Sequence, residues 1–372
     1  MAEDEIIKPF LDQDIARGLI LDLYGMHADS LKEFVSYDDR NFYFKAKPNV
    51  ESEHVQEICP DGYILKVTNS GDSKNASFFR AQNEMIVHMD ECGFPSPVPI
   101  KNKEGQFQKL QELDCPVPEG KTVVKKYLVR VLKFIPGKIL FDVDPWTTEH
   151  FFQIGKFVGK LDLALKSFDH PAYKTRDSIW FLSSIPQLPK YLSAVKDEKD
   201  RTLIQGIIDA FNNEIVPVTD SFEKGVIHGD LNEQNILMKP RASDASVYDV
   251  FTAIDFGDSQ RNPLIFELAI TIMYMMTKCT VIHPNLAGGH VLAGYLTERE
   301  LPNPEMEALR ALVGSRYAQS LTLGAHSYEQ QPGNEYLLTT AKHGWRILRD
   351  FWAMSKDQLY KEWIQIVDSY KE

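Results

Sequence analysis

Two short segments carry side chains able to move a phosphoryl group. The first is Ile227-His228-Gly229-Asp230-Leu231-Asn232-Glu233-Gln234-Asn235-Ile236-Leu237, in which four residues separate an Asp from an Asn. The second, Ala253-Ile254-Asp255-Phe256-Gly257-Asp258, closes an apolar stretch a little further on. Phosphoryl transfer to an alcohol needs the hydroxyl held in line with phosphorus and a carboxylate within reach of its proton. Asp230 suits that role. The reaction also needs a divalent cation across the phosphate oxygens. Hard cations take oxygen ligands, which the Asn235 amide and the Asp255 carboxylate can supply. Glycines beside both aspartates permit tight turns and close approach of the backbone to a ligand. His228 is expected to brace the loop by hydrogen bonding rather than to carry protons. Alone, either His-Gly-Asp or Asp-Phe-Gly is a common turn. Together, in this order and flanked by apolar strand residues, they predict a pair of catalytic loops.

Those loops need a frame, and the rest of the chain supplies one. Apolar spacing over residues 8–26 predicts a leading helix. Short strands are expected at Leu31–Val35 and Phe42–Ala46, joined by a turn at residues 36–41, with a third at Tyr63–Val67. A helix is expected over residues 76–91, stopped by Gly93 and Pro95. Residues 101–122 are polar and read as a loop or hairpin tip, and residues 127–134 as a strong strand. Pro136-Gly137 ends that strand and is the best internal boundary. Beyond it the pattern is helical, apart from a β-rich interruption between Val226 and Phe256. The expected fold class is α+β with two lobes: residues 1–135 as a small antiparallel-sheet lobe, residues 136–372 as a larger, mainly helical one.

Lys66 is the one charge inside the apolar strand Tyr63–Val67, where an amine would meet nucleotide phosphates. Glu84, on the next helix, is expected to orient it through an ion pair. No glycine-rich phosphate loop lies between the first two strands; Ser36 and backbone amides stand in its place. Phe134 and Ile135, at the end of the strong strand, are expected to present backbone groups to a base.

A net charge of −12 with scattered basic residues disfavours nucleic acid or an anionic membrane as partner and suits a cationic or zwitterionic small molecule. Four cysteines (Cys59, Cys92, Cys115, Cys279) sit at no metal-binding or redox spacing and are expected to be buried, reduced thiols. The acidic start, Met1-Ala-Glu-Asp-Glu, lacks the character of a signal peptide. The longest apolar run, Leu268–Met276, is too short to span a bilayer and predicts a core helix. The expectation is a cytoplasmic protein with no obligate protein partner.

The two motifs resemble those of the aminoglycoside phosphotransferase family, small-molecule relatives of protein kinases that include choline and homoserine kinases. The resemblance runs from about residue 30 to residue 350. It implies a protein-kinase-like fold with nucleotide between the lobes, Asp230 as base, Asn235 and Asp255 as Mg²⁺ ligands, and Lys66 on the phosphates. Further stretches are similar to the branch of the family acting on 5-hydroxy-L-lysine: Ser36-Tyr37-Asp38-Asp39-Arg40-Asn41-Phe42, the run Phe266–Met276, Gly288–Gly294 and Ser315-Arg316-Tyr317. That likeness implies a hydroxylated amino acid as acceptor, with GTP or ATP as donor.

Within the C-terminal half, Asp258 is a candidate for a cationic substrate group or for the metal. Glu267 either faces substrate amines or braces the catalytic loop. The planar fork of Arg316 suits a substrate carboxylate. His290 reads as structural. The rivals are a same-fold kinase for another hydroxyl compound, a silent nucleotide-binding pseudokinase, and a protein kinase. The last is disfavoured because an apolar helix follows Asp255-Phe256-Gly257 with no room for an activation segment.

Overall fold

Asp12 starts the first element: its carboxylate accepts the Ile15 N–H at 2.8 Å and caps helix α1 (Gln13–Tyr24). The helix is therefore shorter than its apolar pattern, which runs on through residues outside the cap. Residues 7–34, 36, 39–117, 121–334 and 338–371 are described by this computed structural model. The chain divides into two compact units, Met1–Pro136 and Gly137–Glu372.

In the first unit, β1 (Met26–Phe34) and β2 (Arg40–Val50) form a longer hairpin than the sequence suggests. Val35, Tyr37 and Asp38, at its turn, lie outside the described residues. β3 (Tyr63–Val67) alternates as a half-buried strand should: Tyr63, Leu65 and Val67 are buried, whereas Ile64 and Lys66 share the other face. Helix α2 (Ala76–Glu91) follows, capped by Asn75. Short β4 (Pro99–Ile100) precedes a long hairpin of β5 (Lys109–Val117) and β6 (Lys121–Lys133).

Of the two readings of residues 101–122, loop or hairpin tip, the structure has a hairpin, with a first arm, β5, longer than a tip would give. β5 pairs only with β6, at the margin of the sheet, so its polar alternation is that of an edge strand. The sheet order is β1-β2-β3-β6-β4. Its inner face, with Phe42, Phe44, Leu65, Val129 and Val131, packs on Ile20 and Tyr24 of α1. Cys92, expected to be buried, is exposed, because it is the C-cap of α2; Cys115 and Cys279 are buried and Cys59 partly so.

The second unit opens with β7 (Lys138–Ile139), then α3 (Thr148–Lys166), short α4 (Pro171–Lys174) and α5 (Glu198–Ala210). The expected β-rich interruption follows: β8 (Lys224–Ile227), β9 (Ile236–Arg241), β10 (Asp244–Ala253) and β11 (Gln260–Pro263). These form two small sheets, β10-β9-β7 and β11-β8. Helices α6 (Leu264–Lys278), α7 (Pro284–Leu296), α8 (Asn303–Gln330), α9 (Ala341–Ala353) and α10 (Lys356–Ser369) complete it.

Thirteen of the fifteen residues of α6 are buried, which makes it the central helix of this unit. Among the described residues no helix is long and apolar enough to cross a membrane. α3 and α7 meet backbone to backbone. A Cβ on Gly155 would stand 1.8 Å from the Val291 carbonyl oxygen, and one on Gly294 would stand 1.8 Å from that of Phe152. Neither clash involves a flexible side chain that could yield. Gly294→Ala is therefore expected to push the two helices apart and lower Tm by several degrees, the scale of a 1–3 kcal/mol overpacking cost in a chain of this size. A calorimetric scan with Tm unchanged would show the crossing to be more compliant than its geometry.

Candidate active site

The two motif loops hang from the small strands of the second unit. The first joins β8 to β9, and the second joins β10 to β11. β8 and β11 pair, with Ile227 opposite Gln260. β9 and β10 pair, with Ile236 opposite Ala253. Two hairpin-like ladders therefore bring the loops together, and the Ile254 N–H donates to the Asn235 carbonyl at 2.9 Å to tie them.

His228 is fully buried and bridges the loops. Its Nε2 lies 3.0 Å from the Ile254 carbonyl oxygen, which can only accept, so the ring proton is on Nε2. Nδ1 is left to accept the Asp230 N–H at 3.3 Å. This is the bracing role expected of it. Gly229 has φ of +83°, and a Cβ there would lie 2.5 Å from the Asp258 carbonyl oxygen, so only glycine fits. The Gly229 N–H donates to Glu267 Oε2 at 3.0 Å. Of the two roles open to Glu267, the geometry selects the brace: the residue is fully buried on α6 beneath the loop. Burial raises its carboxyl above the ordinary range, and His228 and the Gly229 N–H partly offset that.

Asp230 is held on both oxygens. Oδ1 accepts from Tyr274 Oη at 2.8 Å and from Arg316 Nη2 at 2.9 Å. Oδ2 accepts from the Asn232 amide at 2.8 Å and, at a longer 3.4 Å, from that of Asn235. Asn235 also donates to the Asp230 carbonyl at 2.9 Å, which turns its own amide oxygen the other way.

Asp255 is exposed and, alone among the described non-glycine residues, has positive φ, at 62°. The left-handed region costs an L-residue roughly 1–2 kcal/mol, and such strain clusters at functional sites. Arg176 fixes the loop just beyond it, donating to the carbonyls of Gly257 at 2.6 Å and of Ser259. Asp258 is half-buried. Burial and the neighbouring Asp230 charge push its carboxyl up to about 6, against the pull of Arg316 and Arg176.

Arg316 turns its fork towards the protein's own groups. It is buried, and its four terminal N–H groups are committed: Nη1 to the Trp180 carbonyl and Gln319 Oε1, Nη2 to Asp230 and Tyr274. No pair of donors is left for a substrate carboxylate. A cavity of about 250 Å³ opens in front of this cluster, lined among others by Asp230, Asp258, Tyr274, Lys278, Arg316 and Trp180.

The first unit carries the remaining nominated residues. Lys66 is half-buried on β3, opposite Arg130 of β6. The expected Lys66–Glu84 ion pair is not made among the described residues. α2 instead turns Gln82 and Asn83 inward and leaves Glu84 exposed. Asn83 accepts from Arg130 at 3.1 Å, and the guanidinium lies 5.0 Å from the centroid of Phe79. Ser36 hydrogen-bonds to its own turn, donating to the Asp39 carbonyl. Phe134 packs edge-on to Tyr43 at 4.8 Å, and Tyr43 stacks with Phe34 at 6.1 Å. Ile135 follows, half-buried.

Tyr274, Asn232, Arg176 and Lys278 escaped the sequence reading. A signal existed for two of them. Glu267, Thr271, Tyr274 and Lys278 recur every three or four residues and make one polar stripe on the otherwise apolar α6. Nothing comparable marked Arg176.

Comparison with known proteins adds three findings. The sequence model of the phosphotransferase enzyme family matches residues 37–312. Hydroxylysine kinase from Xenopus laevis is 38% identical over 371 residues, 98% of this chain and 96% of the relative; that from Bos taurus is 33% identical over 372 residues, with the same coverages. Among solved structures, amicoumacin kinase hAmiN in complex with AMP-PNP, Ca²⁺ and Ami superposes with a TM-score of 0.64 at 14% identity, over 91% of this chain and 94% of that one.

Proposed function

The chain belongs to the phosphotransferase enzyme family, and we propose that it transfers the γ-phosphate of GTP or ATP to the hydroxyl of 5-hydroxy-L-lysine. Identity of 31–38% to hydroxylysine kinases over nearly the whole chain supports the acceptor. The observation that carries the chemistry is the Asp230 carboxylate, clamped by Tyr274 and Arg316 at the wall of a cavity large enough for a small molecule. A carboxylate so directed takes the proton of a hydroxyl that attacks in line.

The residues present fit a hard divalent cation, Mg²⁺ by preference. Asn235 spends its amide hydrogens on Asp230 and offers its oxygen, and Asp255 offers a carboxylate held out by a strained backbone. Two protein oxygens suit Mg²⁺, which keeps waters and takes phosphate oxygens for its other positions. When bound, the ion would neutralise charge on the transferring phosphate. In the first unit, Lys66 would meet phosphate, and the Phe34–Tyr43–Phe134 wall on the same face would receive the base. A cytoplasmic location fits a reaction that draws on nucleoside triphosphate.

Arg316 acts through Asp230 rather than on substrate. Arg316→Lys keeps the charge but loses the fork. It is expected to lower kcat roughly tenfold or more, by misaiming the base, while KM for nucleotide holds within about twofold. Equal losses in kcat and in nucleotide KM would assign Arg316 to structure alone.

The assay that tests the whole reading measures nucleoside diphosphate release with GTP and ATP, each against 5-hydroxylysine, choline, homoserine and kanamycin. Turnover confined to hydroxylysine is expected. Turnover with another acceptor alone would keep the mechanism and discard the substrate, and silence with all four would favour a nucleotide-binding module.

A further inference from the structure

Two cations line the cavity at Asp230, and they differ in the donors they keep. Both terminal nitrogens of Arg316 are committed to Asp230 and its neighbours, which leaves only the buried Nε–H, a single donor, without a partner. Lys278, at the end of the α6 stripe, pairs with Glu233 Oε1 at 3.1 Å and lies 5.4 Å from the centroid of the Phe141 ring. An ammonium has three donors. Glu233, buried and three residues past Asp230, engages one and aims the rest; Phe141 covers the other flank. The Lys278 side chain keeps 19% exposure.

Resting on the hydroxylysine reading, we propose that Lys278 binds the α-carboxylate of the acceptor while Asp258 receives the ammonium beside the reacting hydroxyl. The substrate's own connectivity requires such an arrangement. In 5-hydroxylysine the reacting oxygen is on C5, the ε-ammonium on C6 and the carboxylate at C1. With the hydroxyl at Asp230, the ε-ammonium must lie next to it; Asp258 and Glu233 both share the cavity wall with Asp230, and Glu233 is already paired with Lys278, which leaves Asp258 for the ammonium. The carboxylate then reaches away from Asp230, towards a cation that the base does not occupy. A carboxylate–ammonium contact in a partly desolvated site is worth roughly 1.5–3 kcal/mol, or about 10- to 100-fold in affinity.

The test crosses protein and ligand. Acceptor kinetics are measured for the full chain at saturating Mg²⁺-nucleotide, with 5-hydroxylysine and with its carboxylate-free counterpart 1,5-diaminopentan-2-ol. Wild type is expected to favour hydroxylysine by roughly 10- to 100-fold in kcat/KM. Lys278→Met is expected to lose that factor on hydroxylysine through KM and to leave the diamino alcohol within about twofold; Lys278→Arg should retain the preference. Equal losses on both acceptors, or a wild type indifferent to the carboxylate, would overturn the assignment. Lys278→Met strands buried Glu233, so if it does not fold, the double variant Glu233→Gln/Lys278→Met carries the same comparison. A wild type that phosphorylates neither compound removes the acceptor reading itself, and this assignment with it.

Discussion

Asp230→Asn is expected to lower kcat by about 10²–10⁴-fold, the usual worth of general-base catalysis, with nucleotide affinity unchanged. The geometry makes the experiment clean on one side and demanding on the other. The substituted amide keeps an oxygen for Tyr274 and Arg316, which hold the present carboxylate at 2.8 and 2.9 Å. Its nitrogen would then face the Asn232 and Asn235 amides, donor against donor. Some local loosening is therefore expected, and a melting scan with nucleotide titration must accompany the kinetics. A folded variant that binds nucleotide and turns over near the wild-type rate would remove Asp230 from its role.

Asp255→Ala should be the more damaging change, because it acts on cation binding and on turnover together. Charge stabilisation by a bound metal ion is worth several kcal/mol in phosphoryl transfer, so kcat/KM is expected to fall by about 10³-fold or more. The Mg²⁺ concentration for half-maximal activity should rise at the same time. Alanine also tolerates the left-handed backbone at this position less well than Asp or Asn. Asp255→Asn therefore separates the lost charge from the lost conformation, and should reproduce most of the defect. An unchanged Mg²⁺ dependence in the Asn variant would show that Asp255 does not hold the ion.

How far the sequence reading reached follows from how local each feature is. His228, Asp230 and Asn235 sit within one loop, and Asp255 within the next. The contacts that shape these loops are mostly made to residues two to five positions away, or across adjoining strands. Residue types at fixed spacing therefore mark both loops, and the chain divides between Pro136 and Gly137, where the sequence pattern also breaks. Helix α2 was found because its cap and its apolar period lie in one segment. β5 was missed because an edge strand draws its order from a partner, here β6, and keeps a polar face.

The supporting shell of Asp230 was beyond such reasoning. Tyr274 is 44 residues from it in sequence, and Arg316 is 86. A period of 3.6 shows that a helix has faces but not which loop a face meets. Glu84 shows the same limit: one position along α2 turns a side chain by about 100°. Asn83 consequently faces the sheet while Glu84 is exposed, and the expected pairing with Lys66 fails. The class of reaction was written in local motifs, since Asp230, Asn235 and Asp255 lie on neighbouring turns. The direction of the Asp230 carboxylate and the partners of Arg316 arose only when α6 and α8 packed around the loop; so did the company of Lys278 in the cavity. Those contacts depend on how distant apolar faces bury one another, which no short stretch of residues encodes.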